Sequence, residues 1–386
     1  MILIKNGYVK TMCSPDIPCG DVLIENGRIR AVGENLTAPE GAQIIDAAGR
    51  LVTPGFVEAH CHIGLDGEGC GWEGHDYNEI VEPCTPQLRA IDSINPQDEA
   101  FENAVKGGVT CAVTGPGSAN VIGGTFTAIK LYGKRVDKMI VKDPVAMKVA
   151  FGENPKRCYS SLKKSPSTRM ATAAILRETL FKAKRYMEDK EAAEKEGGKA
   201  PAFDMKLEAM IPVLKGEIPI KAHAHRADDI FTSIRIAREF GIGITLDHCT
   251  DGALIADELA AEGLPAFVGP SLGQKTKIEL ANKSFETPGI LNRAGISVSI
   301  ITDAPVIPLQ YLPMCAGMAV KGGLDIEEAW KAVTINPATA TGIGDRVGSL
   351  AVGKDADVVI FNGNPLTDVT YTVAYTIIDG NIVYQE

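Results

Sequence analysis

Leu51-Val52-Thr53-Pro54-Gly55-Phe56-Val57-Glu58-Ala59-His60-Cys61-His62 is an apolar, strand-like run that ends in two histidines one residue apart. Alternate residues of a strand share a face, so both imidazoles aim at one point, as chelation of one metal ion requires. Ile218-Pro219-Ile220-Lys221-Ala222 leads in the same way into His223-Ala224-His225, and Ile242-Gly243-Ile244-Thr245-Leu246-Asp247 leads into His248. The chain has six histidines, and only His75 lies away from such a strand end. One strand-end histidine reads as an ordinary rim residue. Two His-x-His pairs and a third strand end read as a metal centre at the mouth of a barrel, where strands deliver their functional residues.

Working outward, residues 56 to about 344 alternate short apolar runs (Val109–Thr114, Val145–Phe151, Ala266–Val268, Val298–Asp303) with helical periodicity at Pro96–Lys106, Ala227–Phe240, Asp251–Glu262 and Ile326–Thr334. Thr168 to Ala200 reads as one long charged helix with a solvated face. This alternation predicts an α/β chain with a parallel sheet closed as a (β/α)8 TIM barrel over 56–344. The 115–145 stretch, opening Gly115-Pro116-Gly117-Ser118-Ala119-Asn120, reads as an insertion. The two ends differ from the middle. Asn6-Gly7, Asn26-Gly27 and Asp379-Gly380 interrupt β-branched runs, a strong hairpin signal. Neither end holds enough strands for its own core, so residues 1–55 and 345–386 are expected to pair into one small β-sandwich.

Thirty-nine basic against 49 acidic residues give a net charge of −10, which argues against a nucleic-acid partner. No apolar run approaches the ~20 residues that span a bilayer, and the first residues alternate as a strand does rather than as a signal peptide. Nine scattered cysteines read as reduced thiols of a cytoplasmic protein. A small-molecule substrate is the expected partner, and a homo-oligomer is compatible with the composition.

Asp303, at the end of Ser299-Ile300-Ile301-Thr302-Asp303, offers an anionic ligand or a base; its alternative is a helix cap. Lys148, inside Pro144-Val145-Ala146-Met147-Lys148-Val149-Ala150, is expensive to bury charged. It must snorkel, pair with a carboxylate or be modified, and a carbamate formed with carbon dioxide could bridge two metals.

These residues, in this order, resemble the metal-dependent amidohydrolase superfamily, and within it the imidazolonepropionase- and prolidase-like branch. Pro54-Gly55-Phe56-Val57-Glu58-Ala59-His60-Cys61-His62 resembles the family's first barrel strand, with Glu58 and Cys61 where Asp and Thr are commoner. Asn336-Pro337-Ala338-Thr339-Ala340 and Gly353-Lys354-Asp355-Ala356-Asp357 resemble its return into the β-sandwich. The resemblance implies His60, His62, His223, His248 and Asp303 as ligands of Zn²⁺ or another divalent ion, with Asp303 also shuttling the proton. His225 falls where relatives place a substrate-facing polar group. If Lys148 lies on the fourth strand the site holds two ions; otherwise it holds one. Such an ion would acidify water for attack on the C–N bond of an amide, cyclic amide or short peptide.

His75 in the Gly64–Glu79 loop, the paired cations Lys156 and Arg157, and Arg226 are the candidates for binding a small polar, anionic substrate. A mononuclear deaminase of a nitrogen heterocycle is the alternative, weakened because no Glu follows His223 closely. A catalytically dead structural relative is the other, weakened because no ligand is missing.

Overall fold

The computed structural model describes all 386 residues. Five strands come first: β1 (Ile2–Val9), β2 (Ile17–Glu25), β3 (Arg28–Gly33), β4 (Gln43–Asp46) and β5 (Leu51–Pro54). Eight make the barrel: β6 (Phe56–Cys61), β7 (Val109–Thr114), β8 (Ile122–Lys130), β9 (Ile140–Ala150), β10 (Ile220–Ala224), β11 (Ile244–His248), β12 (Ala266–Val268) and β13 (Val298–Ile300). Three close the chain: β14 (Val358–Asn362), β15 (Thr372–Ile378) and β16 (Asn381–Gln385).

The strands from both ends form one ladder in the order β16-β15-β14-β5-β1-β2-β3, with β4 also on β1. Ile4, Val22 and Ile24 pack into the same core as Val358, Ile360 and Ile377, so each end covers apolar surface of the other. Asn26 and Gly27 (φ 51° and 76°) join β2 to β3, and Asp379 and Gly380 (48° and 73°) join β15 to β16. Both residues of each pair are left-handed, as a tight hairpin turn requires. Asn6-Gly7 behaves differently. β1 runs through it with register shifts against β2, so the same dipeptide makes a bulge.

The barrel strands neighbour one another in chain order from β6 to β13. Every ladder is parallel except the two made by β8, which runs antiparallel to both β7 and β9. This corrects the all-parallel expectation and the reading of 115–145 as an insertion. A parallel return needs a crossover of about a dozen residues or more, and the connections either side of β8 are too short to supply one. Gly124 (φ 121°) is required in β8, because a Cβ there would stand 2.4 Å from the Leu88 carbonyl oxygen. The seam between β13 and β6 is bridged by a side chain: the buried Glu58 carboxylate accepts from the His60 N–H (2.8 Å), the Thr302 N–H (2.8 Å) and the Thr302 hydroxyl (2.7 Å).

Helices α1 (Glu99–Lys106), α2 (Glu153–Ser161), α3 (Arg169–Glu196), α4 (Met205–Leu214), α5 (Ala227–Phe240), α6 (Ala256–Ala260) and α7 (Thr287–Arg293) connect the strands; α8 (Leu312–Lys321), α9 (Ile326–Ala332) and α10 (Ile335–Ala340) follow β13. The Thr168 hydroxyl caps α3 by accepting from Ala171 N–H, and Gly197 ends it at φ 72°. The helix expected over 251–262 is instead a 3-10 turn at Gly252–Leu254 followed by the short α6. No helix is long and apolar enough to cross a membrane, and all nine cysteines are free thiols. At the base of the barrel, Lys130 reaches the carboxylates of Asp355, Asp357 and Asp379 and ties β8 to the terminal sheet.

Candidate active site

The carboxyl ends of β6, β9, β10, β11 and β13 converge on a cleft of about 600 Å³, lined by His62, His223, His225 and Asp303 and bordered by Tyr77 and Arg157. Two groups of three donors meet there, each with its ligand atoms within 4.8 Å of one another: His60 with His62 and Asp303, and His223 with His225 and His248. Rings from the two groups adjoin, with the His60 and His248 centroids 5.1 Å apart.

Four of the five imidazoles are turned by a partner behind them. His62 Nδ1 lies 2.7 Å from the Gly115 carbonyl oxygen, and His248 Nδ1 lies 2.7 Å from that of Gly269. A carbonyl only accepts, so Nδ1 donates and the lone pair is left on Nε2. His60 Nδ1 stands 2.9 Å from Asp247 Oδ2, and Asp247 Oδ1 accepts from Lys221 Nζ at 2.9 Å. His225 Nδ1 pairs with the Thr250 hydroxyl at 2.7 Å. Tyr77 stacks on His62 at 5.5 Å between centroids and walls that side of the cleft.

Burial holds the imidazoles of His60, His223 and His225 below their ordinary value and pushes His248 down to about 3. They are therefore neutral at neutral pH, the form that binds metal. Burial would raise the Asp303 pKa, but the imidazoles of His60, His62 and His248 around it hold the carboxyl well below the usual range. Its Oδ1 is 3.3 Å from Nε2 of both histidines. Asp303 also occupies a left-handed backbone position, φ 53°, a conformation that aspartate tolerates better than most residues. His248 Nε2 is buried without any hydrogen-bond partner. An orphaned acceptor of that kind is costly in an apolar interior and fits a ligand waiting for a cation. Neutral imidazoles with one carboxylate are the donor set of a zinc-like divalent ion.

Lys148 lies on β9, the fourth barrel strand, wholly buried. Burial pushes its amine down to about 8. Its Nζ sits 3.3 Å from His60 Nε2 and 3.9 Å from Asp247 Oδ2. Of the candidate substrate binders, Arg157 lines the cleft. Arg226 precedes α5 and forks onto Asp228 through two bonds of 2.9 Å. His75 sits in its loop 3.7 Å from Asp66, against Tyr77 and outside the cleft lining. Lys156 is half-buried on α2, also outside that lining.

Sequence reading gave no role to Asp247, Lys221, Lys277 or Glu279. Lys221 carried the same signal as Lys148, a lone lysine in an apolar strand, and the two are register partners on β9 and β10. Glu279 carried none. It sits in a 3-10 turn (Ile278–Leu280) after β12, and only the fold brings it to the histidines.

Residues 51–383 match the family model described as the amidohydrolase family. The chain is 44% identical to an amidohydrolase from Thermotoga maritima of known crystal structure, with a TM-score of 0.97 and full coverage of both chains. It is 31% identical over 376 residues to the amidohydrolase tasK of Hapsidospora irregularis, covering 90% of this chain and only 38% of that longer protein. It is 26% identical to an imidazolonepropionase from Symbiobacterium thermophilum over 90% of this chain and 84% of that one.

Proposed function

Because the chain belongs to the amidohydrolase family, whose members hydrolyse carbon–nitrogen bonds, we propose that it opens an amide, cyclic amide or short peptide of a small polar, anionic substrate, using a divalent ion, with Zn²⁺ the first candidate, and Asp303 as the proton carrier. The observation that carries this reading is the pair of three-donor groups at the strand ends, facing one cleft. His60, His62 and Asp303 would hold an ion on one side and His223 and His248 on the other. The chemistry a bound ion supplies is an acidified water and a polarised carbonyl.

The chain's own residues do the rest. Asp303 is ionised, and its side chain is 16% exposed, toward the cleft. It can take a proton from the attacking water at Oδ1 or Oδ2 and return it to the leaving nitrogen. The Gly115 carbonyl and Asp247 fix the rings of His62 and His60, so the face presented to substrate does not reorganise during the reaction. Tyr77 narrows the cleft beside His62. The cations Arg157, Lys277 and Lys283 line the cleft and supply the charge that would seat a substrate carboxylate.

The test is a screen of N-acyl amino acids, dipeptides, hydantoins and imidazolones with enzyme stripped by chelator and reloaded with Zn²⁺. Turnover that disappears on stripping and returns on reloading is expected, with a preference for substrates bearing a free carboxylate. A fully loaded enzyme that leaves every class intact, or prefers uncharged analogues, would overturn the substrate reading.

A further inference from the structure

We propose that Asn154 is a catalytic residue: its side-chain amide donates to the oxygen that turns negative as the C–N bond is attacked, and Lys277 and Glu279 are positioning residues that aim it. The proposal rests on the hydrolytic reading above and adds to it a donor supplied by the protein on the His223 side of the cleft.

Asn154 lies in the first turn of α2, just past the end of β9, and lines the cleft with Ser118, His223 and Lys277. Its orientation is decided by its neighbours. Lys277 Nζ stands 2.8 Å from one terminal atom of the side chain. An ammonium only donates, so that atom is the carbonyl Oδ1 and the other is the amide nitrogen. Nδ2 carries two N–H groups. One donates to Ser118 Oγ at 2.7 Å, and the other is directed at His223 Nε2 at 3.4 Å. An amide nitrogen does not accept, so His223 Nε2 bears the lone pair at that contact. The lone pair that Asn154 meets is therefore the one His223 would offer to an ion. Once committed to a cation it no longer accepts, and one amide N–H is set free at the cleft wall. A carbonyl oxygen polarised from the His223 side would develop its charge in the same corner, where that N–H finds a new acceptor.

The amide is held from behind. Lys277 has three N–H groups, of which Asn154 Oδ1 and Glu279 Oε1 each take one at 2.8 Å. The third is left for the cleft, in line with a seat for a substrate carboxylate. The Glu279 side chain is 1% exposed, and its Oε2 accepts from the Glu153 N–H at 2.8 Å, so it clamps Lys277 to the start of α2. A buried carboxylate is unfavourable unless partners offset its desolvation, and here an ammonium and a peptide N–H do so. The clamp closes over Gly152 (φ 79°), where a Cβ would lie 2.7 Å from Oε2. A donor fixed in place before the reaction does not reorganise when charge appears, which is how such groups lower a barrier.

The experiment compares Asn154→Asp and Asn154→Ala with wild type, each stripped by chelator and reloaded with Co²⁺. Asn154→Asp keeps the shape and the bond to Lys277, and Asn154→Ala removes the side chain without adding charge, so agreement between them isolates the lost N–H. One readout needs no turnover: methylphosphonate, a small tetrahedral oxyanion, is titrated into the loaded proteins and followed by the visible absorption of Co²⁺. Wild type should bind it, and both variants should bind it at least about tenfold more weakly while holding Co²⁺ at unchanged stoichiometry. With the amide found by the substrate screen, kcat should fall by about 10²–10³ and KM should move less than about threefold. Lys277→Met should lower kcat only while Asn154 is present, and in the Asn154→Ala background should change it less than about twofold. Circular dichroism of each variant confirms the fold, and the two substitutions at Asn154 guard against one failing to fold. Unchanged affinity for methylphosphonate in both variants would overturn the proposal, as would a wild type that does not bind it, or a loss confined to KM. Losses from Asn154→Ala and Lys277→Met that multiply would remove the positioning role of Lys277. The reading of function fails separately: if no C–N bond is hydrolysed but methylphosphonate binding still depends on Asn154, the reaction is lost and the donor is kept.

Discussion

At the base of the barrel, Lys130 Nζ lies 3.0, 2.8 and 3.1 Å from the carboxylates of Asp355, Asp357 and Asp379, while Arg28 and Arg346 close on Asp355 from outside. At the mouth, an equally buried set of charges is left open: Lys148 has no carboxylate closer than 3.9 Å, and His248 Nε2 has no partner at all. Both ends bear the cost of desolvating charge. The base recovers it within the protein, because each of its carboxylates has an ammonium or guanidinium within ion-pair distance. The mouth does not, and the deficit marks where a ligand is expected to enter. The contrast teaches that burial of charge alone does not identify a site; burial without satisfaction does.

The contrast breaks first at Asp303. Asp303→Asn keeps the shape of the side chain and removes its capacity to carry a proton, so kcat should fall by about 10² to 10⁴ while the circular dichroism spectrum stays unchanged. A variant that retains more than a tenth of wild-type kcat would show that the mouth does not depend on this carboxylate. Lys130→Met should do the reverse. It strands the buried carboxylate of Asp357, while Asp355 keeps Arg28 and Arg346 and Asp379 faces solvent, and is expected to cost about 3–5 kcal/mol in urea unfolding, with kcat of the folded protein unaltered. Loss of turnover without loss of stability would mean that the two ends are not separable.

Much of this was legible because His-x-His pairs are local. Both imidazoles of His60 and His62, and of His223 and His225, share a face whatever the rest of the chain does. Asp303 was legible because it ends an apolar run. The groups that support them were not, since their partnerships exist only after strands align. Asp247 meets His60 across the barrel interior, and Glu279 reaches His223 from a turn with no pattern of its own. Glu58, marked in the sequence only as standing where Asp is commoner, bridges the seam to Thr302. β8 was hidden by Gly123-Gly124, which reads as a loop although Gly124 is demanded by the close approach of Leu88. Asn6-Gly7 misled for a related reason: a bulge and a hairpin both need a left-handed residue, and sequence does not distinguish them.

A smaller effect sharpens the mouth. Asp247 holds His60 by its Nδ1 and is itself held by Lys221. Asp247→Asn should rotate or retautomerise His60 and weaken metal binding by about 10- to 100-fold, the usual effect of removing a partner behind a ligand. Competition with a calibrated chelator measures it. Unchanged metal affinity would show that the ring of His60 is fixed by packing against Phe126 instead.

The smallest expected effect is at the base, and its sign follows from Lys130. Burial alone would lower its pKa, but the negative charges of Asp357, Asp379 and Asp355 outweigh burial and hold the ammonium protonated above its ordinary range. A cation whose pKa is higher in the folded than in the unfolded state contributes stability that is complete below the unfolded value, about 10.4. That contribution is then lost as pH climbs toward the folded value. The stability difference between wild type and Lys130→Met should therefore stay flat from pH 7 to 9 and narrow only above about pH 10.4. Urea midpoints of both proteins across that range supply the measurement, and taking their difference cancels the other lysines and tyrosines that titrate there. A gap that narrows between pH 7 and 9 would mean that Lys130 gives up its proton early, as a poorly paired lysine would, and the base of the barrel would then be no better satisfied than the mouth.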